Sequence, residues 1–228
     1  MPKRSKRYTT VAKKIDAKKS YSVAEAVALL KEAPTKFDSS IELHVRLGID
    51  PKKSDQTVRG FVQLPHGTGK VKRIIAFIGS NAEADAKAAG ADIIGTPELI
   101  QAIKTTGKID FDVAVATPDM MKQLAPIARI LGQKGLMPNP KTDTVGPDVK
   151  KMITALKKGK VNFKNDATAN VHLAVGKLSF EADQLVENVR MTIEALRKAK
   201  PAGSKGQYLR SVTLTSTMGP GVAISVAA

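Results

Sequence analysis

The hydrophobic and polar positions change period several times along the chain, and each change marks an element. From Ile41 to Ile49 every second residue is apolar (Ile41, Leu43, Val45, Leu47, Ile49), while Ser40, Glu42, His44 and Arg46 fall between them. That period of two predicts a strand with one face in a core and a polar face opposite. The stretch from Gln207 to Gly221 alternates more cleanly still, with Ser211, Thr213, Thr215 and Thr217 on one side and Val212 and Leu214 on the other. One face is therefore a row of uncharged hydroxyls, and it runs into Met218, Gly219, Pro220 and Gly221, where the chain must turn. Taken alone, this stretch reads as a Thr-rich edge strand with a solvated face, because β-branched threonine favours strands. Val58, Val62 and Leu64 predict a further strand, broken by Pro65 to Lys70. Helical spacing appears at Val23, Val27 and Leu30, ending by Pro34, with Ser22 and Glu25 at capping-box spacing. It returns after Ser179 in a long helix from Glu181 to Ala199, whose Leu185, Val189, Ile193 and Leu196 form one stripe.

Between these regions strand and helix alternate, which predicts a parallel sheet with crossover helices. Strands are expected at Val71 to Ile78, Asp92 to Ile94 and Phe111 to Ala116. Helices should start at Asn81 as N-cap, at Thr96-Pro97-Glu98 and at Thr117-Pro118-Asp119, where proline takes the first helical position. A last helix, Asp148 to Lys158, ends at Gly159. Beyond it, Val161 and Phe163 begin a strand, Asn165 and Asp166 turn it, and Val171, Leu173 and Val175 form a return strand with His172 on its other face. The fold class that follows combines α/β and α+β. An antiparallel α+β domain is built from both termini, residues 1–66 and 160–228, and is interrupted by an inserted α/β domain, 67–159. The two crossings make a hinge at Gly67, Gly69 and Gly159.

Charge narrows the function. Lys and Arg number 37 against 21 Asp and Glu in 228 residues, a formal net charge of +16. The expected insert holds 14 basic and 9 acidic residues and the terminal-built domain 23 and 12, so the larger excess lies with the hydroxyl strand. This is the footprint of a polyanion binder, and nucleic acid is the first candidate. Membrane is disfavoured, because no apolar run approaches the ~20 residues needed to span a bilayer. Residues 1 to 19 carry eight basic side chains and one acid, Asp16, and read either as an arm that stays loose until it meets phosphate or as a solubilising tail. Lys36 beside Phe37, in an expected loop, is a ligand candidate in a chain with 4% aromatics, although phenylalanine is more often core.

Catalytic chemistry has little support. The chain has no cysteine, so disulfides and thiolate metal sites are excluded, and His44, His66 and His172 are scattered singly without metal-ligand spacing. Gly67 to Lys70 is followed by Val71, not Ser or Thr, and fails the Walker pattern. The first parallel strand ends without a dinucleotide fingerprint. Gly132 to Lys141 reads as a structured surface loop. Two rivals, an enzyme built on the α/β insert and a DNA-binding architectural protein, would need a convergent polar pocket and a recognition helix respectively, and neither is evident.

Several blocks together carry a resemblance: the start Met1 to Tyr8, Leu47 to Pro51, Val58 to Gly60, Leu64 to Lys70, Ala116 to Pro118, Arg129 to Gly132, Gly135 to Lys141 and Thr215 to Gly219. On these the chain resembles, along essentially its whole length, the bacterial large-subunit ribosomal protein one family, the L-one stalk proteins. The resemblance implies a discontinuous first domain, an inserted Rossmann-like second domain and no enzymatic activity, cofactor or metal. It implies binding to large-subunit rRNA on a mobile stalk of the large ribosomal subunit beside the exit-site tRNA, whose release it assists. It further implies repression through the protein's own-operon mRNA, a cytoplasmic setting and a monomer when free. The family's RNA-contacting motif maps onto Lys36, Phe37, Ser40, Glu42, Thr217, Met218 and Gly219, and further onto Asp166, Thr168 and Ser211. Gln133 and Lys134 stand where the family pattern has Pro-Arg.

Overall fold

The computed structural model describes residues 4–33, 35–79 and 82–225. It is a mixed α/β structure with both antiparallel and parallel sheets, and the chain divides into two compact units. One is made from the segments up to Gly69 and from Val161 onward; the other runs Lys70–Lys160.

In the first unit, helices α1 (Lys6–Ala12) and α2 (Val23–Lys31) precede strands β1 (Ser40–Leu47) and β2 (Arg59–Gln63). The second unit holds β3 (Ile74–Phe77), α3 (Glu83–Ala88), β4 (Ile93–Ile94), α4 (Pro97–Thr106), β5 (Val113–Ala116), α5 (Ala128–Gln133) and α6 (Val149–Lys157). Strands β6 (Lys160–Lys164) and β7 (Asn170–Lys177), helix α7 (Ala182–Lys198), and strands β8 (Leu209–Ser216) and β9 (Gly221–Ala223) return to the first.

The first unit is organised by an antiparallel sheet in the order β7-β1-β8-β9. Register places Val45 between Val171 and Val212 and Leu43 between Leu173 and Leu214, so the inward residues of three strands form one apolar layer. The α7 stripe Leu185, Val189, Ile193 and Leu196 and the α2 residues Val27 and Leu30 close over that layer in a single core. Helix α2 begins with the anticipated capping box, Ser22 accepting from Glu25 N–H while the Glu25 carboxylate accepts from Ser22 N–H. The helices cover one face of this sheet; the other carries polar side chains.

In the second unit the parallel sheet runs β4-β3-β5 and is apolar on both faces, as buried parallel strands are. Ile75 and Phe77 join a core with residues of α4 and α5, whereas Ile74 and Ala76 join one with α3 and α6. Thr96 caps α4 by accepting from Leu99 N–H, and Gly107 ends that helix at φ 66°. Asp148 caps α6, and Gly159 follows it at φ 98°.

Several expectations are corrected. The basic arm is not loose throughout: Ser5 caps α1, Val11 is buried, and Ile15 packs against the core of the first unit. An apolar pair four residues apart gives that segment something to bury. The strand expected from Val71 begins at Ile74, and Val71 is 89% exposed. Its partner β5 reaches back only to Val113, and the pairing ends where Arg73 O accepts from Asp112 and Val113 N–H. Thr117-Pro118-Asp119 opens a single 3-10 turn, Asp119–Met121, with no side-chain cap. Pro126 cannot donate an N–H, so one α-helix cannot run from Pro118 through it. The strand after Gly159 does not pair with its return: β6 pairs with β2 and β7 with β1. Asn165 diverts the chain, accepting from Val58 N–H and donating to Val58 O, while Asp166 folds the next residues into a loop. The Thr-rich strand is not an edge strand, because β8 lies between β1 and β9. The N-cap expected at Asn81 lies outside the described residues.

Candidate nucleic-acid interface

The outward face of the four-stranded sheet is assembled by register. Glu42 stands opposite Thr215, His44 is flanked by His172 and Thr213, and Arg46 is flanked by Asn170 and Ser211. The alternation of β1 and β8 identified their outward positions, and His172 was expected on the outer face of its strand, but Asn170 was not singled out and the neighbours were not legible.

Two clusters of candidate residues sit at opposite ends of this face. At the start of β1, Thr217 Oγ1 accepts from Ser40 N–H at 3.1 Å and donates to Ser40 O at 3.2 Å, while Thr217 N–H also donates to Ser40 O at 2.9 Å. Lys177 Nζ donates to Ser40 Oγ at 3.0 Å. Beyond Thr217, Met218 takes a left-handed φ of 64° and is 73% exposed, so its thioether side chain projects from a tight turn closed by Gly219 N–H to Ser216 O at 2.8 Å. A Cβ on Gly219 would stand 2.2 Å from Ser216 Oγ, so any larger residue there would have to displace that hydroxyl. Arg7 of α1 donates to Met218 O at 3.0 Å, a tie across 211 positions that no local pattern could signal. Lys36 is exposed in the loop before β1, and Phe37 is 53% exposed. Phe37 is thus not a core residue; its ring is open to stack with a ligand.

At the far end of β1, six residues or about 20 Å along the strand, lie Asp166, Thr168 and Ser211. Asp166 Oδ1 accepts from Thr168 N–H at 2.8 Å and Asn170 N–H at 2.7 Å, and Oδ2 accepts from Thr168 Oγ1 at 2.7 Å. These donors, the Asn170 amide first, hold the Asp166 carboxyl well below the usual carboxylate range. It is a fixed anion that shapes the loop, with Asn170 Nδ2 donating to Thr168 Oγ1 at 2.8 Å.

Between the clusters, His44 and His172 are not the isolated histidines their spacing suggested. Their Nδ1 atoms are 2.7 Å apart and their rings meet edge to face. His44 Nε2 lies 3.7 Å from Glu42 and His172 Nε2 lies 3.6 Å from Asp166, so a line of four side chains joins the two clusters. Burial, then the neighbouring His172, pushes the His44 pKa down, against the pull of Glu42. No group of three or more His, Cys, Asp or Glu suited to a metal occurs among the described residues.

The hinge candidates have definite conformations, with Gly67 at φ 65° and Gly69 at φ 72°. Asn188 Nδ2 donates to Gly67 O, and a Cβ on Gly69 would meet Lys177 Cγ at 2.7 Å.

Fold and site together define a basic, mixed α/β protein with an uncovered, hydroxyl-rich sheet face. Residues 29–220 match the family described as Ribosomal protein L1p/L10e. The chain is 51% identical over 223 residues to the large ribosomal subunit protein uL1 of Kosmotoga olearia, covering 97% of this chain and 96% of that one. It is 50% identical over 225 residues to the protein of the same name from Rhodococcus erythropolis, covering 98% and 94%. The chain belongs to the ribosomal protein L1p/L10e family, a family of structural ribosomal proteins and not of enzymes.

Proposed function

We propose that this chain is a structural component of the large ribosomal subunit in the cytoplasm that binds large-subunit rRNA through the open sheet face of its first unit. The observation that carries this reading is the pairing of that face with the chain's charge: uncharged hydroxyls and a carboxylate on the open face, and an exposed Phe37 in the loop that leads into β1, in a molecule of net charge +16. Lysines and arginines attract the phosphate backbone without regard to sequence. The discrimination comes from Ser40, Glu42, Ser211, Thr217, Met218 and Gly219, which meet ribose 2′-hydroxyls and exposed base edges, with Lys36 and Phe37 beside them. Asp166 and Thr168 hold the second end of the surface in shape.

On this reading the two compact units are domains, an RNA-binding α+β domain and a Rossmann-like insert, divided at Gly69 and Val161, a few residues from the expected boundaries of 1–66 and 160–228 around an insert of 67–159. Gly67, Gly69 and Gly159 let the insert move. The protein rides on a mobile stalk near the exit-site tRNA and assists its release, is a monomer when free, and represses translation by binding its own mRNA with the same face. The deciding experiment is sedimentation with footprinting. The protein should travel with large subunits and protect one rRNA region, and co-sedimentation with no protected region would sink the reading.

A further inference from the structure

At the end of the sheet away from Met218, a cleft of about 400 Å³ opens between the loop that follows β1 and the loop that precedes β8. Its walls are fixed by the chain itself. Gln56 Oε1 accepts from Asp50 N–H at 2.8 Å while Gln56 Nε2 donates to Gly203 O at 3.2 Å, and Ser204 Oγ donates to Gly48 O at 3.1 Å. Lys53, Lys205 and Arg210 line it, and none of the three is in an ion pair among the described residues. Asp50 is the one acid in the wall, with Oδ1 accepting from Lys52 N–H.

Arg210 reaches the cleft through a break in the sheet. Arg46 pairs with Ser211 but Leu47 pairs with Leu209, so Arg210 is the extra residue of a β-bulge. By parity with Val212 and Leu214, a regular strand would aim residue 210 into the core; the bulge turns it outward instead, the re-aiming that bulges perform. It lies over Gly48, where a Cβ would stand 3.4 Å from Arg210 Nε and 2.1 Å from Gln207 O. Only glycine leaves that space open.

We infer that this cleft is a second contact for RNA, taking a ribose–phosphate unit of the strand that lies on the sheet face. The three cations hold phosphate oxygens, Arg210 through its planar fork, and Asp50 accepts from a ribose 2′-hydroxyl. The inference rests on the proposed RNA-binding reading and extends it: Arg210 in the cleft wall directly precedes Ser211, the paired neighbour of Arg46 at the end of the hydroxyl row, so one strand passes from that row into the cleft. A simple anion site would not place a carboxylate among the cations.

The test uses the full chain and an in vitro transcript of large-subunit rRNA, with unrelated RNA as control, across a salt series. In Lys205→Gln/Arg210→Gln the slope of log affinity against log salt should flatten by about 1–2, because each phosphate neutralised contributes roughly 0.7–0.9. At 0.1 M salt the affinity should fall about six- to fortyfold. Both side chains are exposed, so the melting temperature should not move. Adenosine monophosphate provides the other arm. If it shifts the Gly48 and Lys205 amide resonances while the double variant binds rRNA normally, the cleft serves a free ribonucleotide and the inference fails. It fails equally if the double variant keeps wild-type slope and affinity while Phe37→Ala weakens binding, and the RNA-binding reading then stands. A wild-type chain that does not prefer rRNA to unrelated RNA overturns both.

Discussion

Thr217→Val isolates one hydroxyl with two duties. In the free protein Thr217 Oγ1 bridges the Ser40 main chain, accepting from its N–H and donating to its carbonyl, and so clips the first residue of β1 to the end of β8. Valine keeps the branched shape and the strand preference, but leaves Ser40 N–H without that acceptor in a half-buried position. A lost hydrogen bond that strands a buried donor costs about 1–3 kcal/mol, and partial access to water places this one near the lower end, about 1 kcal/mol. For a chain of this size that is a fall in Tm of roughly 2–4 °C. Ser40 O still accepts from Thr217 N–H, so the strands should stay paired. Thr217→Ser, which restores the hydroxyl, should melt close to the parent, and Thr213→Val, in mid-strand opposite His44, is the position control. Affinity for the rRNA transcript is measured on the same proteins. If the remaining lone pair of Thr217 accepts from RNA, its loss costs a further ~1–3 kcal/mol of binding, about five- to 150-fold. Equal destabilisation of Thr217→Val and Thr217→Ser would refute the clip, because both would then report lost packing. Equal affinity losses for Thr217→Val and Thr213→Val would refute the special role of the turn.

Three further outcomes are expected. His44 titrates below its ordinary value when folded, so protons bind the unfolded chain more readily and stability should decline as pH falls below about 6.5; in His44→Gln, denaturant midpoints between pH 7 and pH 5 should differ less than in the parent. The Asp166 carboxyl is held low, so its contribution is present above about pH 3.9 and is lost as pH falls further; the stability gap between parent and Asp166→Asn should narrow between pH 5 and pH 3, and a constant gap would argue against the charge. Residues 1–66 joined through a short linker to 160–228 should fold and bind rRNA, because the core beneath the sheet draws all its buried residues from these segments; a folded, soluble product with no preference for rRNA would assign recognition to the insert.

Much of this molecule was legible in its residue pattern, for a physical reason. Periodicity and capping act over a few neighbouring residues, so the outward row of β1, the hydroxyl row of β8, the Ser22 and Thr96 caps and the α7 stripe all declare themselves locally. Net charge is likewise a property of composition. Pairing is different, because it joins segments far apart in the chain and depends on which apolar faces close on one another. That is why His44 and His172, 128 residues apart, read as isolated histidines and are in contact. It is why a strand that looked like an edge is enclosed by β1 and β9, and why Val161 to Phe163 chose β2 as its partner. The bulge that turns Arg210 outward is a mismatch between two strands, invisible in either alone. The clip from Thr217 to Ser40 is of the same kind: alternation along β8 sets a hydroxyl on the outward side, and the pairing of β8 with β1 selects the main chain that it holds.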